Sequence, residues 1–228
     1  MPAPISVLIP TLDAMAGIGP CLGALAEGVT EGLIREVIFA DGGSSDAVAE
    51  VADEVGAVLV TAARGRGRQL AAGARMARGE WLMVLHADTV LAPGWAAAVR
   101  SHLATRPGKA GWGRLRFDQA GVLPGFVAAW ANVRARYLGL PYGDQGLLLP
   151  RTLYDRVGGY REIALMEDVA IARALRGHLV PLPVTAITSA ARFERDGWLR
   201  RGWRNLSTLA LYFAGRDPEA LALRYSRR

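Results

Sequence analysis

The sequence predicts an α/β fold in which helices flank a mostly parallel central sheet. Three observations predict it: apolar runs alternate with helical patterns, the runs are short and rich in β-branched residues, and polar clusters follow them. Continuous apolar runs are typical of parallel strands that helices cover on both faces. The predicted strands of the first half are residues 5–9, 36–40, 57–60 and 81–85. Strands that alternate with helices form one open sheet through right-handed crossovers.

Helical periodicity fills the segments between these strands. Apolar residues at positions i, i+3, i+4 and i+7 predict a helix over residues 48–55, with Ser45 or Asp46 as its N-terminal cap. A second helix is predicted over residues 69–78. Pro93 opens a third helix, because proline is tolerated in a first turn.

The second half of the chain is less regular. Strands are predicted near residues 112–117 and 145–149. A helix is predicted over residues 168–175, and a long amphipathic helix over residues 195–213. The sequence shows no internal repeat and no low-complexity linker, so one domain is the simplest interpretation.

The composition suits a folded chain with a sizeable core. Of its 228 residues, 51% are hydrophobic and 21% are charged, which argues against disorder. No stretch approaches the ~18 consecutive apolar residues that a membrane span needs. Cys21 is the only cysteine, which excludes an intrachain disulfide and a Cys-rich zinc site. The first four residues lack the basic region of a signal peptide, so we expect a cytoplasmic protein.

The formal net charge is +6, from 27 basic and 21 acidic residues. It reflects either a general enrichment in arginine or an attraction to phosphates or an anionic membrane surface, such as the inner membrane face. The apolar segment 126–130 and the Arg-rich segment 195–204 leave two alternatives open, core packing or a peripheral membrane contact. We expect no nucleic-acid partner, and the sequence predicts no oligomeric state.

Polar clusters follow three of the predicted strands. They are Pro10, Thr11 and Asp13 after the first strand, Asp41 and Gly42 after the second, and His86, Ala87 and Asp88 after the fourth. The carboxyl ends of parallel strands meet at one edge of a sheet, where such folds bind ligands. A turn with a helix cap is the alternative interpretation for the segment that begins at Asp41.

His86 and Asp88 would project to one face of an extended segment. A carboxylate there can hold a divalent cation against a diphosphate, with phosphate oxygens and water as the other ligands. A buried polar pair at a strand end is the alternative.

An arginine-rich loop and four further residues complete the candidate site. Arg64 and Arg68, interleaved with glycines before a helix, suit an anion, although a solvated basic loop has the same pattern. A third glycine at the spacing of a dinucleotide site is missing. Glu167 and Asp168 begin a predicted helix, either as caps or as a general base toward a hydroxyl. The remaining two are Asp144, which could bind a sugar, and Arg192, which reaches either a diphosphate or solvent.

Six motifs in this order resemble those of family-two glycosyltransferases. The match runs over residues 5–177 and comprises segments 7–12, 36–46, 65–74, 85–89, 158–160 and 166–169. The resemblance implies the GT-A fold, a Rossmann-like sheet, with a nucleotide-binding half at about residues 1–105 and an acceptor-binding half at about residues 106–228. It also implies a hexosyltransferase that takes its sugar from a nucleotide, most commonly UDP, and inverts the anomeric carbon. The acceptor is left open among a small molecule, a lipid-linked molecule and a saccharide.

The resemblance also assigns roles to individual residues. Asp41 matches the nucleoside-binding aspartate, with Pro10, Thr11 and Asp13 lining the base and ribose. Residues 86–88 take the place of the family's Asp-x-Asp motif, with Asp88 as the ligand of Mg²⁺ or Mn²⁺. His86 replaces the first aspartate and is expected either to bind the metal or to hydrogen-bond a ribose. Asp168 matches the catalytic base. Together these roles predict that Asp41, Asp88 and Asp168 converge on one cleft.

Two rival functions are weighed against this one. A sugar nucleotidyltransferase would carry a Gly-rich loop after the first strand, which residues 11–17 match poorly. A catalytically inactive nucleotide- or membrane-binding module would explain the altered motif at His86 and the basic C-terminal run of residues 224–228.

Overall fold

The structure, a computed structural model, describes residues 3–226. Met1 and Pro2 at the N-terminus, and Arg227 and Arg228 of the basic C-terminal run, lie outside the described residues. Within that range the chain forms one eight-stranded sheet, with strands β1 (Ile5–Thr11), β2 (Ile34–Asp41), β3 (Val58–Thr61), β4 (Trp81–Val84), β5 (Thr89–Leu91), β6 (Ala110–Phe117), β7 (Leu147–Pro150) and β8 (Leu179–Thr188).

Helices connect and cover these strands. They are α1 (Met15–Thr30), α2 (Val48–Glu54), α3 (Arg66–Met76), α4 (Trp95–Thr105), α5 (Val122–Leu138), α6 (Arg151–Arg156), α7 (Glu167–Ala174), α8 (Ala191–Asp196), α9 (Trp198–Phe213) and α10 (Pro218–Ser226). A short 3-10 turn, Gly143–Gln145, leads into β7. Among residues 3–226, no helix combines the length and the apolar character that crossing a bilayer requires.

The strand order is β3-β2-β1-β4-β7-β6-β8-β5. Adjacent strands from β3 to β4 are parallel, and β7 is antiparallel to both β4 and β6. β8 is parallel to β6, and β5 is antiparallel to β8. Six of the eight strands in the described range therefore run one way, which confirms the predicted α/β class and its mostly parallel sheet. The two reversed strands begin at the edge where the other six end.

The core lies on both faces of this sheet. Alternate residues of β1 point to opposite faces. Ile5, Val7 and Ile9 join one cluster with α1 and α4, whereas Leu8 joins a second cluster with α3 and α7. Both faces are covered, and each β1 side chain is buried, as the continuous apolar run predicts. The division of the chain near residue 105 stays a prediction.

Several predicted boundaries are corrected by the structure. Most of the arginine-rich segment that was predicted as a loop is helical, because α3 already begins at Arg66. The predicted helix over 195–213 is broken at Gly197, whose φ of 82° ends α8 and begins α9. Neither Ser45 nor Asp46 takes the N-cap position of α2, which Ala47 occupies.

Strands β5 and β8 and several helices were not predicted. β8 contains Pro181 and Pro183, which remove backbone donors and weaken a strand pattern. α1 contains Pro20 and four glycines, which obscure its helical periodicity. β5 spans only three residues, too few for a periodic signal. Helices α6 and α10 were also not predicted, and only residues 126–130 of α5 were predicted as an apolar segment.

We expect Gly67→Ala to destabilise the fold by about 1–3 kcal/mol, because a side chain there overpacks the contact between α3 and the loop before α7. A Cβ at Gly67 would lie 2.6 Å from the Ile163 carbonyl oxygen. Gly19→Ala on α1 is the control, because Gly19 is exposed and a Cβ there would meet nothing within 4 Å. It should stabilise the helix by about 0.5–1 kcal/mol. Urea unfolding of both variants measures the difference, and equal effects would contradict the close approach at Gly67.

Candidate active site

The ends of β1 and β2 are tied together by buried hydrogen bonds. Thr11 Oγ1 donates to Asp41 Oδ1 at 2.9 Å, and the two residues are register partners in adjacent strands. The Gln69 side chain reaches from α3 and donates to the carbonyl oxygens of Thr11 and Ala40, at 2.7 and 2.8 Å. Gly42 leaves room for it, since a Cβ there would lie 3.0 Å from the Gln69 amide carbon. These contacts give the two strand ends a fixed geometry.

Asp41 is turned into its own loop. Its Oδ2 accepts bonds from the backbone amides of Gly43 and Ser44, both at 2.9 Å, and Ser44 Oγ donates to Oδ1. Burial raises the pKa of Asp41, but the hydrogen bonds from Ser44, Thr11 and Gly43 outweigh it and leave the pKa below its usual value. Asp41 is therefore an ionised carboxylate that organises residues 41–45.

Asp13 joins the first loop to the second. Its Oδ1 accepts bonds from the Ser45 amide at 2.8 Å and the Ser45 hydroxyl at 3.0 Å. The Asp13 backbone has a φ of 49°, a left-handed conformation that is uncommon outside glycine. The predicted nucleoside residues of β1 and β2 thus form one cluster, here called the nucleoside loops: Pro10, Thr11, Asp13, Asp41 and Gly42. Their contact with a nucleoside stays a prediction.

A cavity of about 120 Å³ opens at the same edge, beyond the ends of β4, β6 and β8. Most of its lining residues carry polar side chains. Its described lining is Arg66, His86, Asp88, Phe117, Tyr142, Asp144, Leu165, Met166, Glu167, Asp168, Thr188, Ser189, Arg192, Phe193, Arg201, Asn205 and Tyr225. The topology explains this collection, because Asp88 precedes β5 and Asp144 precedes β7, the two strands that start at this edge.

The cavity gathers most of the predicted catalytic and diphosphate residues. His86, Asp88, Asp144, Glu167, Asp168 and Arg192 all line it. Asp88 and Asp168 line this cavity, whereas Asp41, at the end of β2 on the same edge of the sheet, is not among its described lining residues. The convergence of all three aspartates on one ligand stays a prediction. Ala87 packs into the core beneath the edge.

The two arginines chosen from the arginine-rich loop, Arg64 and Arg68, are not among the described lining residues of the cavity. Arg68 pairs with Glu219 of α10 and donates to the Arg64 carbonyl oxygen at 3.0 Å. Arg64 is exposed. The cavity instead receives Arg66, because the helix starts there and turns that side chain inward. Arg66 belongs to the same Gly-Arg-Gly-Arg motif. The predicted loop, however, favoured its neighbours Arg64 and Arg68 as the anion-binding residues.

Arg66 lies between an imidazole and a carboxylate. Its Nη1 is 3.5 Å from His86 Nε2 and 3.6 Å from Glu167 Oε1. Burial, with Arg66 and Arg192 nearby, holds the pKa of His86 well below its usual value, so the ring is neutral. A metal ion at His86 Nε2 would face the Arg66 guanidinium. This geometry favours a hydrogen-bonding role for His86 over the predicted ligand role.

Glu167 and Asp168 occupy different environments at the start of α7. The Glu167 side chain is 2% exposed, and burial together with Asp168 raises its pKa to about 7 despite the opposing Arg66. Asp168 is partly exposed, and its Oδ2 accepts a long 3.4 Å bond from the Gly143 amide. The preceding Met166 has a φ of 69°, a strained conformation of the kind that concentrates at functional sites.

Asp144 and Asp88 complete the carboxylates of the cavity. Asp144 Oδ1 is buried and has no hydrogen-bond partner in the described part of the chain. Burial raises the pKa of Asp144 to about 6, with Asp168 and Asp88 adding to the shift and Arg134 opposing it. Asp88 Oδ2 lies 3.8 Å from Arg192 Nη2, and the Asp88 side chain is 22% exposed. Across residues 3–226, no three His, Cys, Asp or Glu side chains cluster closely enough to form a metal site alone.

Apart from Arg192 of α8, the side of the cavity that the C-terminal helices provide was not predicted from the sequence. Phe193 comes from α8, Arg201 and Asn205 from α9, and Tyr225 from α10. Tyr225 donates to Asn205 Oδ1 at 2.8 Å. The motifs end near residue 169, so no short-range signal marked these helices as part of the site.

Solved glycosyltransferase structures share this fold. The structure of S. aureus TarS residues 1–349 is 16% identical with a TM-score of 0.63, and the match covers 82% of this chain and 60% of that one. Glucosyl-3-phosphoglycerate synthase from Mycobacterium tuberculosis, crystallised with Mn²⁺, UDP and glucosyl-3-phosphoglycerate, is 18% identical with a TM-score of 0.56, covering 82% and 70%. Mannosyl-3-phosphoglycerate synthase from Rubrobacter xylanophilus is 17% identical with a TM-score of 0.60, covering 82% and 67%.

No curated protein matches the chain. The chain spans about three fifths of the length of the TarS structure that it matches. The model of the family described as "Glycosyl transferase family 2" matches residues 6–128, which is more than half of the chain and includes the nucleoside loops and the His86–Asp88 segment. The chain therefore belongs to glycosyl transferase family 2.

Proposed function

We propose that this chain transfers a sugar from a nucleoside diphosphate sugar, with UDP the expected carrier, to an acceptor hydroxyl. One observation carries the proposal: the cavity at the carboxyl edge of the sheet combines Asp88, Asp144 and Asp168 with the cations Arg66 and Arg192. This combination suits a reaction that removes a proton from one group while a diphosphate leaves another. Membership of family 2 supports it, and so does the GT-A fold.

Asp168 is the proposed catalytic base. Its carboxylate is partly exposed in the cavity, and the bond that it accepts from Gly143 is long. Glu167 is nearly inaccessible and is paired with Arg66, so we assign it the positioning of α7 and Arg66 rather than proton transfer. A pKa of about 7 would also suit a general base. The two carboxylates are therefore distinguished below by substitution.

The proposed reaction is a single displacement. Asp168 takes the proton of the acceptor hydroxyl as that oxygen forms a bond to the anomeric carbon. The bond between that carbon and the diphosphate oxygen breaks, and its electron pair leaves with the nucleoside diphosphate. Attack opposite the leaving group inverts the anomeric centre. Arg192, beside Asp88, lies where it can stabilise the departing charge.

The residues at the cavity fit a divalent cation that the donor helps to bind. Asp88 offers partly exposed carboxylate oxygens, and Asp144 Oδ1 is a buried acceptor with no partner in the described range. Mg²⁺ and Mn²⁺ accept one or two carboxylates when diphosphate oxygens and water supply the remaining ligands. A bound cation would neutralise the leaving diphosphate. The M. tuberculosis synthase, crystallised with Mn²⁺ and UDP, supports a divalent metal here.

The donor is proposed to extend from the nucleoside loops to the cavity. Both lie at the carboxyl ends of neighbouring strands, with β1 between β2 and β4. Hydrogen-bonded loops that are already ordered cost less entropy to bind a ligand than mobile loops do. The family match gives no support to the alternative of a sugar nucleotidyltransferase. The alternative of a catalytically inactive module is not favoured either, because the cavity retains its carboxylates.

Asp168→Asn should lower kcat by at least about 100-fold, since general-base catalysis contributes about 10²–10⁴-fold. The assay is release of UDP from UDP-glucose and UDP-N-acetylglucosamine, with water as the acceptor. Asp155→Asn on α6, whose side chain is exposed, is the matched control and should leave kcat unchanged. Glu167→Gln should lower kcat less than Asp168→Asn does. If Glu167→Gln abolished turnover and Asp168→Asn retained it, the base would be Glu167.

Asp88→Asn should reduce the contribution of Mn²⁺ to donor binding. We expect UDP with Mn²⁺ to raise the Tm of the unmodified chain by about 5–10 °C at 100-fold excess over Kd, by mass action. UDP alone should raise it less. In Asp88→Asn the increment due to Mn²⁺ should largely disappear, while Asp217→Asn on the exposed surface should keep it. An unchanged increment in Asp88→Asn would remove Asp88 from the metal site.

Glu167→Gln should alter how stability depends on pH. Because the pKa is about 7 in the folded chain and 4.5 when unperturbed, the native state holds a proton between these values that the unfolded chain releases. The stabilisation is fully present below pH 4.5 and is lost as pH rises through 7. The free energy of unfolding should therefore fall by roughly 3 kcal/mol more across that window than in Glu167→Gln. Parallel urea-unfolding profiles for the two proteins would contradict the raised pKa.

A further inference from the structure

Large apolar side chains are exposed along one stripe of α5. Val122 is 87% exposed, Phe126 69% and Tyr137 74%, and Trp130 and Val133 lie between them with more than two fifths of their surface exposed. Spacings of three and four residues place all five on one side of the helix. Ala128, Ala131 and Ala135 cover its opposite side, which is buried.

A second stripe runs along α9. Leu199 is 76% exposed and Trp203 73%, and Leu206 and Phe213 continue the stripe at helical spacing. The other side of α9 faces the protein, where Thr208 is buried and Arg201 and Asn205 line the catalytic cavity. One helix therefore has an apolar outer side and a polar inner side that belongs to the proposed active site.

The helices that carry the two stripes, α5 and α9, lie next to each other. Near their N-terminal ends, Val127 of α5 and Trp198 of α9 pack in one cluster. Near their C-terminal ends, Tyr137 and Leu138 of α5 and Phe213 of α9 line one groove of about 440 Å³. Arg173 of α7 and Arg176, which follows the end of that helix, line the remaining side of that groove. We call the exposed residues of both stripes the two-helix face: Val122, Leu123, Phe126, Trp130, Val133, Tyr137, Leu138, Leu199, Trp203, Leu206 and Phe213.

The charge of the chain is concentrated in the same half as this face. Residues 110–228 contain 18 basic and 10 acidic side chains, whereas residues 1–109 contain 9 and 11. Exposed arginines flank the stripes, among them Arg136, Arg195, Arg200 and Arg216. Tryptophan and tyrosine beside arginine is the composition that settles at an anionic lipid surface. A second copy of this chain would bring the same positive charge against itself, so like-charge repulsion argues against a dimer through this face.

We propose that the two-helix face docks on an anionic lipid bilayer and seats the catalytic cavity at the level of the lipid headgroups. Because α9 is about 10 Å across, its inner residues Arg201 and Asn205 would lie one helix diameter from the apolar boundary. The groove beside Arg173 and Arg176 suits a phosphate-bearing headgroup. Where the proposed transferase function holds, the acceptor hydroxyl is presented by the membrane, on a lipid or a lipid-linked molecule.

The test is flotation of the full chain with vesicles. It should float with vesicles of phosphatidylcholine and phosphatidylglycerol, much less with phosphatidylcholine alone, and less at high salt, which screens the arginines. The variant with both Phe126→Ser and Trp203→Ser should lower the bound fraction at least about 10-fold, because two exposed aromatic anchors are lost. The matched control, Val29→Ser with Met76→Ser, removes exposed apolar groups outside the face and should float normally.

Three outcomes would overturn this proposal. They are failure of the unmodified chain to float, equal flotation of the Phe126 and Trp203 variant, and a concentration-dependent dimer that the same variant abolishes. The Tm increase with UDP and Mn²⁺ separates this proposal from the proposed reaction. The variant should keep that increase, since neither residue touches the cavity. Flotation without any response to UDP would refute the transferase function and leave the membrane face intact.

Discussion

The site depends on one electrostatic contact, the pairing of the buried Glu167 with Arg66, whose side chain is 35% exposed. The Glu167 side chain is 2% exposed, and an unpaired carboxylate is costly to bury there. Arg66 lies 3.6 Å away and is the cation that offsets this cost. The two residues come from α3 and α7, in opposite halves of the chain. Gly67, next to Arg66, allows α3 to approach the backbone at Ile163 closely enough for the pair to form. Because Asp168 follows Glu167 directly, the same contact fixes the position of the proposed base.

The direction of two strands decides which other side chains reach this contact. If β5 and β7 ran parallel to their neighbours, the residues that precede them would lie at the opposite edge of the sheet. Because both are reversed, Asp88 and Asp144 arrive where β4, β6 and β8 end. His86 then packs against Gly143, where no side chain could fit. The neutral imidazole lies against both Arg66 and Gly143 and adds no charge to the cavity.

The sequence could predict those parts of the protein that local patterns encode. Continuous apolar runs identified the parallel strands, and carboxylates at strand and helix ends identified Asp88, Asp144 and Asp168. Sequence patterns did not predict features that depend on the exact residue at which a helix begins or on contacts between residues far apart in the chain. Arg66 replaced Arg64 and Arg68 because the exact start of α3 sets which arginine turns inward. Asp41 satisfies its oxygens within its own loop, and a motif match cannot reveal that. β8 was not predicted because Pro181 and Pro183 interrupt its strand pattern, although it pairs with both β6 and β5 in the complete sheet.

The break between α8 and α9 shows how one helix can serve both the cavity and the outer surface. Asp196, just before Gly197, accepts hydrogen bonds from Arg195, Arg204 and Arg201, which hold its pKa well below the usual range. Arg201 and Arg204 lie on α9, so this cluster anchors the first two turns of the helix to the end of α8. Rotation of α9 about its axis would break these bonds and expose Thr208. The orientation that places Asn205 in the cavity is therefore the same one that turns Leu199 and Trp203 outward, so the cavity side and the outer side of α9 keep a fixed relation to each other.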